Sequence, residues 1–355
     1  MIEPDNIEQC IRTAAKGRKN RKEVKDVLDN IPHHVNKIRE LLLTNTFEMK
    51  PHKPKRIVER GKERIIVKPR FKYELIIQHM IMSVLEPVLM KRFYAYSCAS
   101  IPGRGISYGK KAIERWIKEI RDAHPYFPRI WVYKADIKSF FKNVKRDILK
   151  AKLSKLIRDK RFLSICFKMI DCECVDGLAL GYMTSQWFSN FFLTDFDNFV
   201  KQTLGCKYYI RYMDDIVILS QNREELHHYR RCIEQYLIHR LRLKIKENWQ
   251  VFQLTDSWLN VKETGRPLDF LGFKFYGYKT TLRKKTLKYT MRTVLRFQKP
   301  TNKNCLSYIQ GLISRIGWML QSDVYSYYKR HICSIANMSK LKEFISTYQK
   351  EGLLT

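Results

Sequence analysis

Acidic residues are scarce in this 355-residue chain, in which 35 Asp and Glu stand against 68 Lys and Arg. The formal net charge is therefore +33, and the isoelectric point lies near 9.8. Self-repulsion of that size destabilises a compact chain unless a polyanion shares its surface. Basic residues recur in almost every segment, among 6 Trp, 20 Tyr and 19 Phe. This composition favours a nucleic-acid partner whose bases stack on aromatic rings.

Cysteine pairs with metal-ligand spacing are also missing. The nine cysteines are scattered, include no C-x-x-C pair, and at Cys172-Glu173-Cys174 have the wrong spacing for a zinc knuckle. We therefore expect reduced thiols rather than zinc or a disulfide framework. The first residues lack a signal-peptide pattern, and no uncharged apolar run approaches the length of a membrane span. The sequence thus predicts a cytoplasmic protein with no membrane partner.

No internal repeat or low-complexity linker divides the chain, so its organisation is read from local periodicity. Apolar residues at a spacing of three to four predict helices up to about residue 50 and over about 71–93, 107–122, 145–171, 184–204, 222–242 and 303–335. β-rich runs predict strands over 55–60, 63–69, 130–134, 208–219 and 268–275. Strands and helices in this order predict an α+β fold, with a sheet covered by helices on one face.

Two acidic elements carry the chemistry. Tyr212-Met213-Asp214-Asp215 lies between the apolar runs 208–210 and 216–219, which places its carboxylates at the tip of a hairpin. Upstream, Asp136 ends a second apolar strand and is followed by paired aromatic residues. Neighbouring carboxylates repel in apolar surroundings unless they are solvated or bound to cations. Three carboxylates on two neighbouring strand ends are what a two-magnesium phosphoryl-transfer site needs.

The order of the motifs resembles the palm of reverse transcriptases over about residues 51–330. The motifs are Asp136, Gly181-x-x-x-Ser185-Gln186, Tyr212-Met213-Asp214-Asp215 and Phe270-Leu271-Gly272-Phe273. The resemblance implies a right-hand polymerase with fingers, a palm that holds an antiparallel sheet covered by helices, and a small helical thumb. It divides the chain into an N-terminal helical extension (1–50), fingers (51–135), palm (136–280) and thumb (281–355).

The same resemblance implies the metal chemistry. Two Mg²⁺ ions, for which Mn²⁺ can substitute, are expected at a catalytic and metal-binding set made of Asp136, Ile137, Asp214 and Asp215. Within it, Asp136 and Asp214 would hold the ions and Asp215 would support them. A lysine is expected to protonate the pyrophosphate leaving group, and either Lys244 or Lys246 could fill this role as general acid.

Further residues are implied to bind the nucleotide and the primer. The nucleotide-binding set is Lys62, Arg64, Phe140, Phe141, Leu180, Gly181 and Gln186. Phe141 matches a steric gate whose ring excludes a ribose 2′-hydroxyl, whereas strand alternation is expected to turn Phe140 into the core. The segment Phe270, Leu271, Gly272 and Phe273 resembles the primer grip, with an ordinary buried strand pair as the alternative for each side chain.

Leu180 and Gln186 stand where most reverse transcriptases carry Gln and Pro, and this pattern resembles the enzymes of diversity-generating retroelements. The resemblance implies error-prone cDNA, mutated opposite adenine and copied from a template-repeat RNA in a bacterial or phage-encoded cytoplasmic system. Expected partners are the template RNA, the cDNA/RNA duplex, deoxynucleotides and a small basic, oligomeric accessory protein. The alternatives are a phage-defence or retron-type reverse transcriptase and a catalytically inactive RNA-binding protein with a polymerase fold.

Overall fold

A computed structural model describes residues 1–59, 61–124, 129–171, 175–256, 265–298 and 305–350. Helices form most of this structure. They are α1 (Pro4–Ala15), α2 (Lys22–Asp29), α3 (Ile31–Leu43), α4 (Ile76–Met90), α5 (Ile106–Ala123), α6 (Phe140–Asn143), α7 (Arg146–Leu156), α8 (Lys160–Ile170), α9 (Met183–Phe192), α10 (Thr194–Asn198), α11 (Arg223–Leu241), α12 (Lys284–Phe297), α13 (Leu306–Leu320), α14 (Tyr325–His331) and α15 (Met338–Lys350).

The strands form three small sheets. They are β1 (Lys55–Glu59), β2 (Lys62–Ile66), β3 (Trp131–Asp136), β4 (Tyr208–Tyr212), β5 (Asp215–Ser220), β6 (Gln250–Gln253), β7 (Leu268–Phe270), β8 (Phe273–Phe275) and β9 (Thr280–Leu282). β1 pairs with β2, a four-stranded sheet has the order β4-β5-β3-β6, and a three-stranded sheet has the order β7-β8-β9. The predicted strand–turn–strand before residue 70, the strand that delivers Asp136, the 208–219 hairpin and the 268–275 pair are therefore confirmed.

The chain divides into two compact units. Unit 1 comprises Met1–Gly105, Lys134–Val217 and His227–Trp249, and unit 2 comprises Ile106–Tyr133, Ile218–Leu226 and Gln250–Thr355. This division does not follow the four boundaries expected from the resemblance, so the fingers, palm and thumb limits stay predictions. All of the carboxylates that the sequence singles out lie in unit 1, whereas the expected primer grip and thumb lie in unit 2.

Helix α4 forms the apolar centre of unit 1, where it packs against α1 and α9. Together with the preceding turn it makes a stretch, Phe71–Met90, that is long and apolar enough to cross a membrane, with a mean hydropathy of 1.2. The stretch is not uncharged, because Lys72 and Glu74 lie near its start and Glu86 near its end, so the expectation that no uncharged apolar run approaches this length stands. The window is 56% buried inside the protein, as in an ordinary core helix, so it is a weak indication of a membrane span.

The predicted long helices are broken at identifiable residues. The helix expected over 145–171 ends at Leu156, and a new helix begins at Lys160, capped by Asp159, whose carboxylate accepts from the amides of Arg161 and Phe162. The helix expected over 303–335 is interrupted between α13 and α14, and its first residues, 303 and 304, lie outside the described residues.

Helix α12 was not predicted. The segment after Thr281 is rich in basic residues, among them Lys284, Lys285 and Lys288, which obscure its apolar spacing. Its buried side chains, Thr290, Val294 and Phe297, nevertheless follow the spacing of one helical face. Lysine and arginine stems can cover apolar surface while their charges stay in water, so a basic sequence can hide an amphipathic helix.

The turn between β7 and β8 in unit 2 depends on a glycine. Leu271 has φ +53° and Gly272 has φ +87°, so the hairpin turn uses the left-handed region at both positions. A Cβ at Gly272 would lie 2.5 Å from Cζ3 of Trp318 in α13. The Trp318 ring also stacks on Phe273, with 5.3 Å between ring centroids. The absence of a side chain at Gly272 therefore allows Trp318 of α13 to pack against this hairpin.

We predict that Gly272→Ala destabilises the protein by about 1–3 kcal/mol, because the new methyl group meets both an unfavourable φ and the Trp318 ring. Urea unfolding of purified variants measures the change. Gly317→Ala is the matched control in α13, where an added Cβ would meet nothing within 4 Å. It should be neutral or stabilising by up to about 1 kcal/mol. Equal midpoints for the two variants would contradict this packing account.

Candidate active site

Asp214 and Asp215 lie at the tip of the β4–β5 hairpin in unit 1. β4 ends at Tyr212, β5 begins at Asp215, and Met213 and Asp214 form the turn between them. Met213 has φ +55°, in the left-handed region that non-glycine residues rarely adopt. Three buried strand residues precede the turn and five follow Asp215, which fixes the hairpin in the core. The predicted position of these carboxylates at a hairpin tip is confirmed.

Asp136 is brought to the same tip by backbone hydrogen bonds. β3 ends at Asp136, and the amide of the next residue, Ile137, donates to the Asp214 carbonyl at 3.1 Å. Ile137 is fully buried and pairs on its other side with Ile245. The backbone of Ile137 therefore joins the end of β3 to the hairpin turn on one side and to Ile245 on the other. Its expected part in metal binding stays a prediction.

Burial and mutual repulsion dominate the electrostatics of the three carboxylates. Burial, together with the charge of Asp136, raises the pKa of Asp214, while Lys246 and Arg64 act in the opposite direction. Burial and the charges of Asp136 and Asp214 raise the pKa of Asp215 to about 7. A hydrogen bond to Asp136 raises the pKa of Asp215 further, since it requires a proton on one of the two groups. The site therefore favours any cation that can approach these oxygens.

Lys246 supplies a cation from the protein itself. Its Nζ donates to Asp136 Oδ1 at 2.8 Å, and its amide donates to the Asp136 carbonyl at 2.8 Å. Lys244 lies two residues before Lys246. Its carbonyl accepts from the amide of Lys138, and its side chain is exposed. The structure thus places the ammonium group of Lys246, and not that of Lys244, against the carboxylates.

The donor set fits Mg²⁺ in its chemistry. Carboxylate oxygens are the ligands that this hard cation prefers, and Mg²⁺ is commonly held by one or two carboxylates plus substrate phosphates rather than by a full protein cage. Among the described residues, no group of three or more His, Cys, Asp and Glu side chains is arranged to hold a metal ion by itself. Burial and mutual repulsion raise the pKa values of Asp214 and Asp215, and a nearby divalent cation would favour their charged forms.

Two of the expected nucleotide-binding residues, Leu180 and Gly181, lie against the end of β2. The amide of Val67, just after β2, donates to the Leu180 carbonyl at 2.8 Å. Gly181 has φ +110°, and a Cβ there would lie 2.2 Å from the Val67 carbonyl oxygen. The Leu180-Gly181 segment therefore fits closely against the end of the strand that carries Arg64, whose side chain is exposed. Lys62 begins the same strand, and the side chain of Gln186 in α9 is exposed.

Phe140 and Phe141 differ from the expectation in their backbone. Ser139, with φ +47°, ends the extended chain, and the two rings lie in the first turn of α6 rather than on alternating strand positions. Phe140 is 2% exposed, so its ring belongs to the core, as strand alternation was expected to give. Its inclusion in the nucleotide-binding set stays a prediction that its buried ring does not support. Phe141 is partly exposed, and its part as a steric gate stays a prediction.

The expected primer grip is a buried hairpin in unit 2. Phe270 is 1% exposed and Phe273 is fully buried, so both rings pack in the core of this unit. Only the turn residues Leu271 and Gly272 are partly exposed. Burial of both rings favours the buried-strand alternative for the two phenylalanines, and a part of the turn in primer binding stays a prediction.

Sequence reasoning missed two residues that support the site. Arg211 occupies the middle of β4 and is fully buried, and Asp197 in α10 is 1% exposed and bonded to it. The available signal was an arginine inside an otherwise apolar strand two residues before the turn, because such a charge must find a buried partner.

Comparison with known proteins defines the class first. The chain shares its fold with the telomerase of Candida albicans in complex with a TWJ fragment of telomeric RNA, at a TM-score of 0.52 and 13% identity, over 86% of this chain and 60% of that one. The apo telomerase of Candida tropicalis gives a TM-score of 0.54 and 11% identity, over 89% and 63% of the two chains. The α+β chain thus has a right-hand polymerase fold, as predicted.

The family follows from a match to a family model. Residues 50–275 match the model of the family described as reverse transcriptase (RNA-dependent DNA polymerase), and the chain belongs to this family. Protein YkfC of Escherichia coli (strain K12) is 22% identical over 175 residues, which are 46% of this chain and 45% of that protein. The chain thus spans less than half the length of this curated relative.

We predict that Lys246→Gln tightens Mn²⁺ binding roughly threefold to fivefold, because it removes a cation that competes for Asp136. A partly exposed ion pair of this kind is worth up to about 1 kcal/mol, which sets the size of the effect. Electron paramagnetic resonance of free Mn²⁺ measures the affinity without turnover. Lys244→Gln removes the same charge from an exposed position and should change the affinity less. Weaker binding by Lys246→Gln, or equal effects of both substitutions, would contradict the prediction.

Proposed function

We propose that this chain is an RNA-templated DNA polymerase of the diversity-generating retroelement type, which makes error-prone cDNA from a template-repeat RNA. The observation that carries the polymerase assignment is the convergence of Asp136, Asp214 and Asp215 at one hairpin tip with Lys246 against them. Membership of the reverse transcriptase family over residues 50–275 supports the same reaction. Leu180 and Gln186 support the retroelement type, because they replace the Gln and Pro of most reverse transcriptases.

Phosphoryl transfer needs positioning and charge neutralisation more than covalent chemistry. Two Mg²⁺ ions bound at Asp136 and Asp214 would supply Lewis acidity and neutralise the charge that develops on the transferred group. The residues of the chain supply the remaining functions. Lys246 holds an ammonium proton at the carboxylates, where it can be given to the pyrophosphate oxygen. Arg64 extends an exposed guanidinium that can bind triphosphate oxygens through two hydrogen bonds.

The selection of deoxynucleotides is assigned to Phe141, whose partly exposed ring follows the strand that ends at Asp136. Its carbonyl accepts from the Leu178 amide at 2.8 Å, which ties α6 to the segment that leads to Leu180. A ring in this place would exclude a ribose 2′-hydroxyl by steric contact. The high error rate is assigned to Leu180, whose side chain offers the incoming nucleotide apolar contact area but no side-chain amide.

Template RNA and the cDNA/RNA duplex are the proposed macromolecular partners, in the cytoplasm of a bacterial or phage-encoded system. A telomerase of the same fold was determined with telomeric RNA, and the net charge of +33 suits a polyanion. A small basic, oligomeric accessory protein is proposed on the pattern of the subtype. A defence-type reverse transcriptase and an inactive RNA-binding protein are the outcomes that the following tests would favour if the proposal fails.

We predict that Asp214→Asn and Asp136→Asn abolish Mg²⁺-dependent incorporation of deoxynucleotides on an RNA template. Loss of one carboxylate removes several kcal/mol of transition-state stabilisation, and about 4 kcal/mol corresponds to roughly a thousandfold in rate. Primer extension with purified protein measures the loss. Asp147→Asn is the control, since this exposed carboxylate of unit 1 pairs only with the surface residue Arg242 among the described ion pairs. Near-normal extension by folded Asp214→Asn would show that the site is wrongly assigned.

We predict that Leu180→Gln lowers misincorporation opposite template adenine several-fold while the other template bases change little. The added amide can form a hydrogen bond near the sugar of the incoming nucleotide that is worth on the order of 1 kcal/mol. About 1.4 kcal/mol is a tenfold change in discrimination, so one bond can move the error rate measurably. Sequencing of cDNA from matched reactions gives the error spectrum.

The control for this experiment is Leu43→Gln, the same substitution at a leucine of α3 that is 46% exposed. It should leave the error spectrum unchanged. A wild-type enzyme that is already accurate opposite adenine would argue against the retroelement type and for a defence-type enzyme. An adenine error rate that Leu180→Gln does not move would remove Leu180 from the discrimination of nucleotides.

A further inference from the structure

Arg211 is fully buried in unit 1 and uses every donor that it has. A guanidinium carries five N–H groups, and here each finds an acceptor. Nε donates to Asp197 Oδ1 at 2.8 Å, Nη2 donates to Asp197 Oδ2 at 2.6 Å and to Ser97 Oγ at 2.8 Å, and Nη1 donates to Asn190 Oδ1 at 3.1 Å and to the Met213 carbonyl at 2.8 Å. The side chain is therefore held in one orientation.

Asp197 anchors this arrangement. Its carboxylate is 1% exposed and accepts two of the five Arg211 hydrogen bonds, one at each oxygen. It also accepts from the Tyr209 hydroxyl at 2.6 Å. A buried ion pair is seldom more stabilising than apolar side chains of the same volume, because two charges must leave water. Its use in specifying one geometry is the better-attested reason for such a pair. The question is then which geometry Arg211 specifies.

The bond from Arg211 to the Met213 carbonyl gives the answer. Met213 occupies the left-handed region at φ +55°, a conformation that persists in a non-glycine residue only when its surroundings hold it. Two contacts hold it here, since Arg211 Nη1 takes the carbonyl and Ser189 Oγ donates to the Met213 sulfur at 3.2 Å. Met213 directly precedes Asp214, so its carbonyl belongs to the peptide bond that orients Asp214.

We propose that Arg211, anchored by Asp197, is a positioning residue that locks the Met213-Asp214 turn and so keeps the carboxylates in register with Asp136. The inference rests on the proposed function of these carboxylates but concerns a separate pair of side chains. The Ile137 amide donates to the next carbonyl of the same turn, that of Asp214. Arg211 and Ile137 thus bind two consecutive carbonyls of the turn and hold it against the repulsion among the acids.

Hydrogen exchange at the Ile137 amide tests the positioning directly and does not depend on activity. Arg211→Lys keeps the charge that Asp197 needs, but a single ammonium nitrogen cannot reach both Asp197 and the Met213 carbonyl. We expect the Ile137 amide and the amides of 213–216 to exchange at least about tenfold faster, while the rest of unit 1 changes little. Asp197→Asn, which frees Arg211 from its anchor, should give the same local pattern.

Two controls separate positioning from general loss of stability. Lys152→Met removes a partly buried cation of unit 1, which pairs with Asp195 and donates to the carbonyls at the end of α9 and to Thr194 Oγ1. It should lower stability without a selective change at Ile137. Ser97→Ala removes one acceptor of Arg211 that has no contact with the turn, and it should have a smaller effect than Arg211→Lys.

The activity arm distinguishes this inference from the proposed function. In Arg211→Lys, kcat per active site should fall at least about tenfold while KM for deoxynucleotide stays within about threefold, since the turn and not the nucleotide pocket has moved. Unchanged exchange at Ile137, or equal acceleration throughout unit 1, would overturn the positioning role. If the wild-type protein does not polymerise and Arg211→Lys still shows the selective increase in exchange, the positioning role is supported and the proposed function is refuted.

Discussion

The repulsion among three neighbouring, partly buried carboxylates is the constraint on which the rest of unit 1 depends. Asp136 ends β3, whereas Asp214 and Asp215 lie at the β4–β5 turn, and burial together with the charges of their neighbours raises the pKa of Asp214 and Asp215. Left alone, such a cluster would take up protons or move apart. The structure opposes both outcomes with the Ile137–Asp214 backbone bond and the ammonium group of Lys246.

A rigid frame around a repulsive site is a common condition for phosphoryl transfer, where catalysis is mostly positioning. In unit 1 the frame uses polar contacts that are fully buried, most clearly the five bonds of Arg211. The nucleotide side is built differently, by a close backbone approach between Val67 and the Leu180-Gly181 segment. This arrangement is made of backbone contacts and buried side chains, whereas the side chain of Arg64 on β2 is exposed.

The sequence was sufficient for the parts of the fold and site that depend on local patterns. Apolar runs on both sides of Tyr212-Met213-Asp214-Asp215 predicted the hairpin, and an apolar strand before Asp136 predicted the third carboxylate. These predictions succeeded because strand periodicity and turn position are encoded within about ten residues. The order of the motifs likewise predicted the polymerase fold.

The remaining features depend on contacts between distant residues, which no local pattern encodes. The pairing of 244–246 with the end of β3 decides that Lys246, and not Lys244, meets Asp136. A left-handed Ser139 precedes a helix whose first residue, Phe140, is buried in the core, and Trp318 of α13 stacks on the buried Phe273. Helix α12 escaped prediction because its apolar face is interleaved with lysine and arginine.

The central claim is that the hairpin tip is a two-cation site for nucleotide addition. The most direct measurement is a crystal structure of the protein with an RNA template, a DNA primer, a non-hydrolysable deoxynucleotide and Mn²⁺, analysed for anomalous scattering from manganese. The account predicts two manganese peaks about 3.5–4 Å apart, between the carboxylates of Asp136 and Asp214 and the triphosphate, with Lys246 displaced from Asp136. A bound, ordered nucleotide without manganese at these carboxylates would contradict it.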